Sequence, residues 1–260
     1  MKKYATLVVL ALALTSAMSA QAPPPARVDH FRCYFVPQQP ARPVNVQLQD
    51  QFDVALHTFE KINQLTIVHF CNPAEKIVNG VVTPIVNVNH HLTMFMINQQ
   101  PAIARTVIVN NQFGNQTLST ADARILMVPT GKGLPPNPAP SPSTDLDHYK
   151  CYAASGTTLN RQATLSDQFF TGTTTVLQPV YFCNPVTKIH NNVTTGILNP
   201  DIHLVCYATP PSTMPGRTIN LNNQFGLFTI PVEQADLLCV PSLKLQWHAV
   251  ATTASARPQP

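Results

Sequence analysis

The sequence predicts an all-β protein: two homologous, disulfide-bonded β-sandwich or barrel domains, each an internal duplication of a unit of about 56 residues. Three observations carry this expectation. Short runs of β-branched and aromatic residues recur at close spacing, divided by Pro, Asn and Gly, as in all-β architectures. Four separate landmarks appear in four copies along the chain, and a fixed period is the mark of repeated structural units. The six cysteines fall at equivalent positions of that repeat.

The halves match first. Asp29-His30-Phe31-Arg32-Cys33-Tyr34 answers Asp147-His148-Tyr149-Lys150-Cys151-Tyr152, and Phe70-Cys71-Asn72-Pro73 answers Phe182-Cys183-Asn184-Pro185. Asn110-Asn111-Gln112-Phe113-Gly114 is likewise repeated as Asn222-Asn223-Gln224-Phe225-Gly226. Each half is itself double. His30, His91, His148 and His203 open four quarters, and Asp50, Asn111, Asp167 and Asn223, each followed by Gln-Phe, mark their middles. Cys71, Met127, Cys183 and Cys239 close them at a constant spacing of 56 residues, and Lys76, Lys132, Lys188 and Lys244 each stand five residues further on.

Taken in order, residues 1–20 read as a secretory signal peptide. Lys2 and Lys3 precede an apolar run too short to span a bilayer, and Ser19 and Ala20 suit cleavage before Gln21. A Pro-rich lead-in follows at 21–28, then a first β domain at 29–130. Its strands are expected at 30–36, 44–48, 65–71, 83–88, 92–97, 106–109 and 124–128. In the opening strand, alternation puts Phe31, Cys33 and Phe35 on the face best suited to a core. Residues 131–146, with five prolines between 131 and 144, read as a semi-rigid linker. The second β domain, 147–245, repeats the strand order at 149–153, 163–165, 173–177, 180–183, 204–208, 218–221, 228–230 and 237–240. Only 119–124 and 232–237 read as single helical turns, and 246–260 as a disordered tail.

The repeat also bears on cysteine pairing. Quarter two lacks both of its cysteines, with Met94 and Met127 in their places. A bridge is lost as a pair, because losing one end leaves a stray thiol. The expected bridges are therefore Cys33–Cys71, Cys151–Cys183 and Cys206–Cys239, each stabilising its quarter by roughly 3–4 kcal/mol in the chain-entropy model. Disulfides persist in an exported protein, so a zinc site is the weaker reading, and H-x-x-C lacks the C-x-x-C spacing of zinc modules.

Composition narrows the function classes. Removing Lys2 and Lys3 lowers the formal net charge from +4 to +2, too little to call for nucleic acid or an acidic membrane as partner. No second apolar stretch approaches membrane-spanning length, so no transmembrane segment is expected after leader cleavage. G-x-S-x-G, H-E-x-x-H and paired carboxylates are absent, and 12 acidic residues leave little for acid–base work.

The repeated histidines His30, His91, His148 and His203 are the candidate ligand-binding residues, with a partly buried, backbone-bonded histidine at a strand start as the competing role. Asp/Asn-Gln-Phe reads as a turn closed by the side chain of its first residue, with the Phe inserted into the core. The repeated lysine reads as a solvated strand-end residue whose stem covers apolar surface. His57, His69 and His90 have no counterparts in the second half, so the first half could host a private site.

In combination, H-[FY]-[KR]-C-Y, D-Q-F, C-N-P, N-Q-F-G and L-C-V-P-S resemble an uncharacterised domain family of secreted and cell-surface bacterial proteins, here as a tandem pair. The resemblance covers nearly the whole chain beyond the leader, and Met94 and Met127 depart from its cysteine pattern. It implies compartment and modularity but no activity. The expectation is a secreted, periplasmic or cell-surface structural or binding module, non-enzymatic, without cofactor or bound metal, meeting an unknown extracellular partner. A hydrolase using His and Asp is the first alternative and a metal-binding module the second.

Overall fold

The computed structural model describes residues 28–37 and 39–250. The signal peptide, nearly all of the lead-in and the tail beyond Val250 lie outside the described residues. Quarter one supplies β1 (His30–Phe35), β2 (Arg42–Gln49), the helix α1 (Gln51–Leu56), β3 (Glu60–Val78) and β4 (Val81–Thr83). Quarter two supplies β5 (Leu92–Ile97), β6 (Arg105–Asn111), β7 (Gly114–Pro129) and β8 (Gly131–Gly133). Quarter three supplies β9 (Tyr149–Ser155), β10 (Arg161–Ser166), β11 (Thr171–Val176), β12 (Pro179–Pro185), β13 (Thr187–His190) and β14 (Val193–Thr195). Quarter four supplies β15 (Ile202–Ala208), β16 (Arg217–Asn223), β17 (Gly226–Val232) and β18 (Ala235–Ala249).

Eight of these strands, two from each quarter, run in the order β1-β18-β15-β12-β9-β7-β5-β3, and β3 pairs again with β1. The sheet is therefore a closed, antiparallel eight-stranded barrel with no free edge at that level. The expected division into two domains, 29–130 and 147–245, gives way to a single barrel shared by both halves. Pairing of β7 with β9 and of β1 with β18 makes the two seams.

Outside the barrel the quarters exchange strands. The β2 hairpin of quarter one pairs with β13 of quarter three, and β10 of quarter three pairs with the end of β3. In the same way β6 of quarter two pairs with the end of β18, and β16 of quarter four pairs with β8. Each excursion is completed only by the opposite quarter, so neither half can satisfy its own backbone hydrogen bonds.

Two apolar layers follow from strand alternation. Phe31, Cys33, Cys71, Leu92, Met94, Met127, Tyr149, Cys151, Cys183, Leu204, Cys206 and Cys239 form one cluster with side chains from all eight barrel strands, which places it in the lumen. Cystines Cys33–Cys71, Cys151–Cys183 and Cys206–Cys239 lie there, each between directly opposed residues of neighbouring strands. Met94 opposes Met127 in the same register. Contact crosses the quarters: Cys33 Sγ lies 3.8 Å from Cys239 Sγ, and Cys183 Sγ lies 3.9 Å from Met127 Sδ. Eight strands enclose just enough room for side chains to fill, and polarisable sulfur fills it.

The second layer lies between the barrel wall and the outer hairpins, and holds Tyr34, Phe52, Phe70, Phe95, Tyr152, Phe182 and Tyr207. In β1 both faces are thus buried, not the cysteine face alone. A strand wrapped on both sides reads as nearly continuous burial.

Several local expectations change. Residues 119–124 belong to β7, Val232 ends β17 and 235–237 open β18, and of the expected strand at 83–88 only Thr83 lies in a strand, as the last residue of β4. Of the expected linker, Gly131–Gly133 is a paired strand and Leu146 is buried in the lumen cluster. A Cβ on Gly131 or Gly133 would collide with the backbone carbonyls of Pro140 or Pro138, so the Pro-rich segment is packed onto β8 rather than spanning a gap. The start of the expected tail continues β18 against β6 as far as Ala249.

Candidate functional site

The Asp/Asn-Gln-Phe loops organise the repeated polar contacts. Asp50 Oδ1 accepts from the backbone N–H groups of Phe52 and Asp53, Asp167 Oδ1 from Phe169 and Phe170, Asn111 Oδ1 from Phe113, and Asn223 Oδ1 from Phe225. In the two N-Q-F-G copies the turn ends at a positive φ, +94° at Gly114 and +120° at Gly226, which glycine adopts without strain. Quarter one replaces the turn with α1, closed by an Asp50–Asp53 capping box.

Each loop crosses to the opposite quarter. Tyr34 Oη donates to Asp167 Oδ2 at 2.6 Å, and Tyr152 Oη to Asp50 Oδ2 at 2.9 Å. Asn111 Nδ2 donates to Tyr207 Oη at 2.9 Å. These contacts hold the outer hairpins against the barrel wall.

The four candidate histidines are distributed around this wall, one per quarter, and are not gathered. All are buried, between 2 and 8 % exposed. Each faces the lysine of its own quarter: His30 with Lys76, His91 with Lys132, His148 with Lys188 and His203 with Lys244. Lys188 Nζ donates to His148 Nε2 at 3.0 Å. Burial, then the neighbouring ammonium, pushes His30, His148 and His203 down to about 3 and His91 to about 2. They stay neutral at pH 7. Only His203 has the expected backbone bond, to the Asp201 carbonyl.

The lysines differ from their expected solvated state. Lys76 and Lys188 are 1 % exposed. Their ammonium groups, and that of Lys132, donate to Gln112, Gln224 and Gln168, the Gln of the next quarter's loop. Lys76, Lys132 and Lys244 also lie 4.6 to 5.0 Å from the ring centroids of Phe113, Phe169 and Phe52. Burial pulls all four lysines down to about 8. Thus the repeated Lys, His and loop Gln-Phe form a clasp between successive quarters.

A buried ionic cluster, which reading the repeat for histidines overlooks, sits where quarter one's loop meets quarter three. Lys150 Nζ lies 2.5 Å from Asp53 Oδ2, 3.1 Å from Glu60 Oε2 and 3.7 Å from Asp50 Oδ2. Burial raises the Asp53 and Glu60 carboxyls, partly offset by Lys150. The signal was present in the [KR] of the opening motif. Of the histidines private to the first half, His90 is clamped by Asp29 at 2.8 Å and Asp145 at 2.9 Å, so both ring nitrogens are occupied. His69 bonds Asp236 at 3.0 Å.

A family model described as a repeat of unknown function (DUF7450) matches residues 91–241, more than half of the chain. The chain belongs to this repeat family. The DUF7450 match opens on His91 and ends at Pro241, so it takes in quarters two and three and most of quarter four, stopping short of Lys244. Neither a curated protein nor a solved structure matches the chain.

Around the DUF7450 framework the concave surfaces are shallow grooves between hairpins. One, of about 660 Å³, is bounded by Arg42, Asn45, Phe95, His190 and Phe225. Among the described residues, no three His, Cys, Asp or Glu side chains gather in a way that would hold a metal ion. Among those residues no helix is long and apolar enough to cross a membrane.

Proposed function

We propose that the chain is a non-enzymatic structural or binding module, exported by its signal peptide to the bacterial envelope or extracellular space, carrying the repeat as a tandem pair. One observation supports this reading above others: the repeated polar side chains are enclosed by the fold or bonded within it. The histidines are neutral and enclosed, Lys76, Lys132 and Lys188 are held by the next quarter's glutamines and Lys244 by Asn184, and the Asp/Asn groups cap their own loops. A repeat built around catalysis would leave a general base facing solvent or substrate. His90 does not meet that need, because carboxylates hold both of its ring nitrogens.

The test is expression with the native leader in a bacterial host. The mature protein is expected to begin at Gln21, to leave the cytoplasm, and to hydrolyse a panel of chromogenic esters, phosphates and glycosides no faster than buffer. Turnover abolished by His90→Asn or His148→Gln, in a protein that still folds, would sink the reading. A mature chain retained in the cytoplasm would sink its location.

A further inference from the structure

The two halves treat one buried cation differently. Arg32 and Lys150 occupy the same place in the repeat, on β1 and β9, two residues before Tyr34 and Tyr152. Lys150 is surrounded by Asp50, Asp53 and Glu60. At the matching loop of quarter three the sequence runs Asp167-Gln168-Phe169-Phe170, so Phe170 stands where Asp53 stands. Arg32 is only 3 % exposed, yet among the described residues it forms no ion pair with a carboxylate. Among the same residues its side chain makes one hydrogen bond, from Nη1 to the Phe170 carbonyl at 3.1 Å, and its guanidinium lies 4.9 Å from the Phe170 ring centroid. Asp167 is spent on Tyr34 and on its own loop, and Asp236 is bound to His69.

Arginine cannot shed its charge as a buried lysine can, so the uncompensated guanidinium calls for an anion. It lines a groove of about 290 Å³ between the β10–β11 hairpin and the segment that follows β15. The remaining walls are neutral and rich in hydrogen-bonding groups: Gln162, Thr173, Thr175, Ser212 and Thr213, with the Phe170 ring beside them. A planar guanidinium offers a paired set of N–H donors to a carboxylate, surrounding hydroxyls and an amide suit hydroxyl groups, and an aromatic ring suits a sugar's C–H face.

We propose that this groove is a binding site for an acidic sugar, its carboxylate held by Arg32 and its hydroxyls by the threonine and glutamine side chains. The proposal deepens the binding-module reading and rests on it. Its failure would leave the non-enzymatic reading standing, since that rests separately on the buried histidines.

The experiment is an amide chemical-shift titration of the mature protein at constant ionic strength, with sodium glucuronate, glucose, sodium acetate and sodium sulfate as probes. Glucuronate is expected to saturate and to shift the amides of Phe170, Thr173, Thr175 and Thr213. Its affinity is expected to exceed that of each of the other three by at least tenfold. Arg32→Gln should weaken it at least tenfold. Should Arg32→Gln fail to fold, Thr213→Glu places a competing carboxylate at an exposed wall position and should abolish binding with the fold unchanged. Affinity for acetate or sulfate equal to that for glucuronate, shifts scattered away from the groove, or binding indifferent to Thr213→Glu would each overturn the proposal.

Discussion

Acidification should unfold this protein through its four clasp histidines. In the unfolded chain each takes up a proton near 6.5, whereas in the barrel three are held at about 3 and His91 at about 2. The unfolded state therefore binds more protons throughout that interval. Stability is complete above pH 6.5 and drains away as pH falls toward 3. Between pH 6.5 and 4.5 the loss is about 2.7 kcal/mol per histidine, at about 1.36 kcal/mol for each pH unit. Four together reach roughly 11 kcal/mol, comparable to the whole stability of an ordinary domain. Asp53 and Glu60, raised by burial, and His90, raised by its hydrogen bonds to Asp29 and Asp145, pull the other way, because each favours the folded state on the acid side.

The net fall should still be several kcal/mol. Urea unfolding followed by far-ultraviolet circular dichroism, with the cystines intact, would measure it at pH 7.5, 6.0, 5.0 and 4.5. The midpoint should drop steeply below pH 6.5, and His148→Gln should remove about a quarter of the slope. At the other end, lysines held near 8 make stability rise from pH 8 toward 10. A midpoint that stays level from pH 7.5 to 5.0 would show that the histidines are hydrated or protonated in the fold, and would refute the clasp.

Two further outcomes follow from the strand exchange and the lumen. Fragments 28–130 and 131–250, made separately, should each lack a cooperative unfolding transition but regain one when mixed, because each leaves barrel and hairpin edges unpaired. A cooperative transition in either fragment alone, seen by calorimetry, would restore the two-domain picture. Met94→Cys with Met127→Cys should form a fourth cystine, seen as complete thiol protection and a mass two hydrogens lower. The bridge would offset the lost methionine packing with about 4 kcal/mol of loop-closure entropy. Two titratable thiols in the folded double variant would contradict the register of β5 against β7.

Some residues declared their roles from the sequence. Asp50, Asn111, Asp167 and Asn223 each cap the turn expected of a short polar side chain before Gln-Phe, since that bond is made within three residues. The helix α1 was missed because the capping box depends on Asp53, which quarter three replaces with Phe170. The repeated lysines looked solvated because nothing near them in sequence could bury an ammonium. Gln112, Gln168 and Gln224, which do, lie 36 residues further along. Lys150 and Arg32 share a motif position, and their unequal neutralisation depends on which loop reaches them from the other half.

By itself the sequence determined the all-β class and the fourfold period, because strand alternation, turn chemistry and repeated landmarks are local properties of the chain. Only the tertiary structure decided that the four units close one barrel and exchange their hairpins instead of pairing off as two domains. The physical reason is that a repeat presents the same strand edges in every copy, so closure within a half and closure around all four quarters are equivalent in local pattern. The choice between them is made by long-range contacts, Tyr34 with Asp167, Tyr152 with Asp50 and β7 with β9, which no periodicity records.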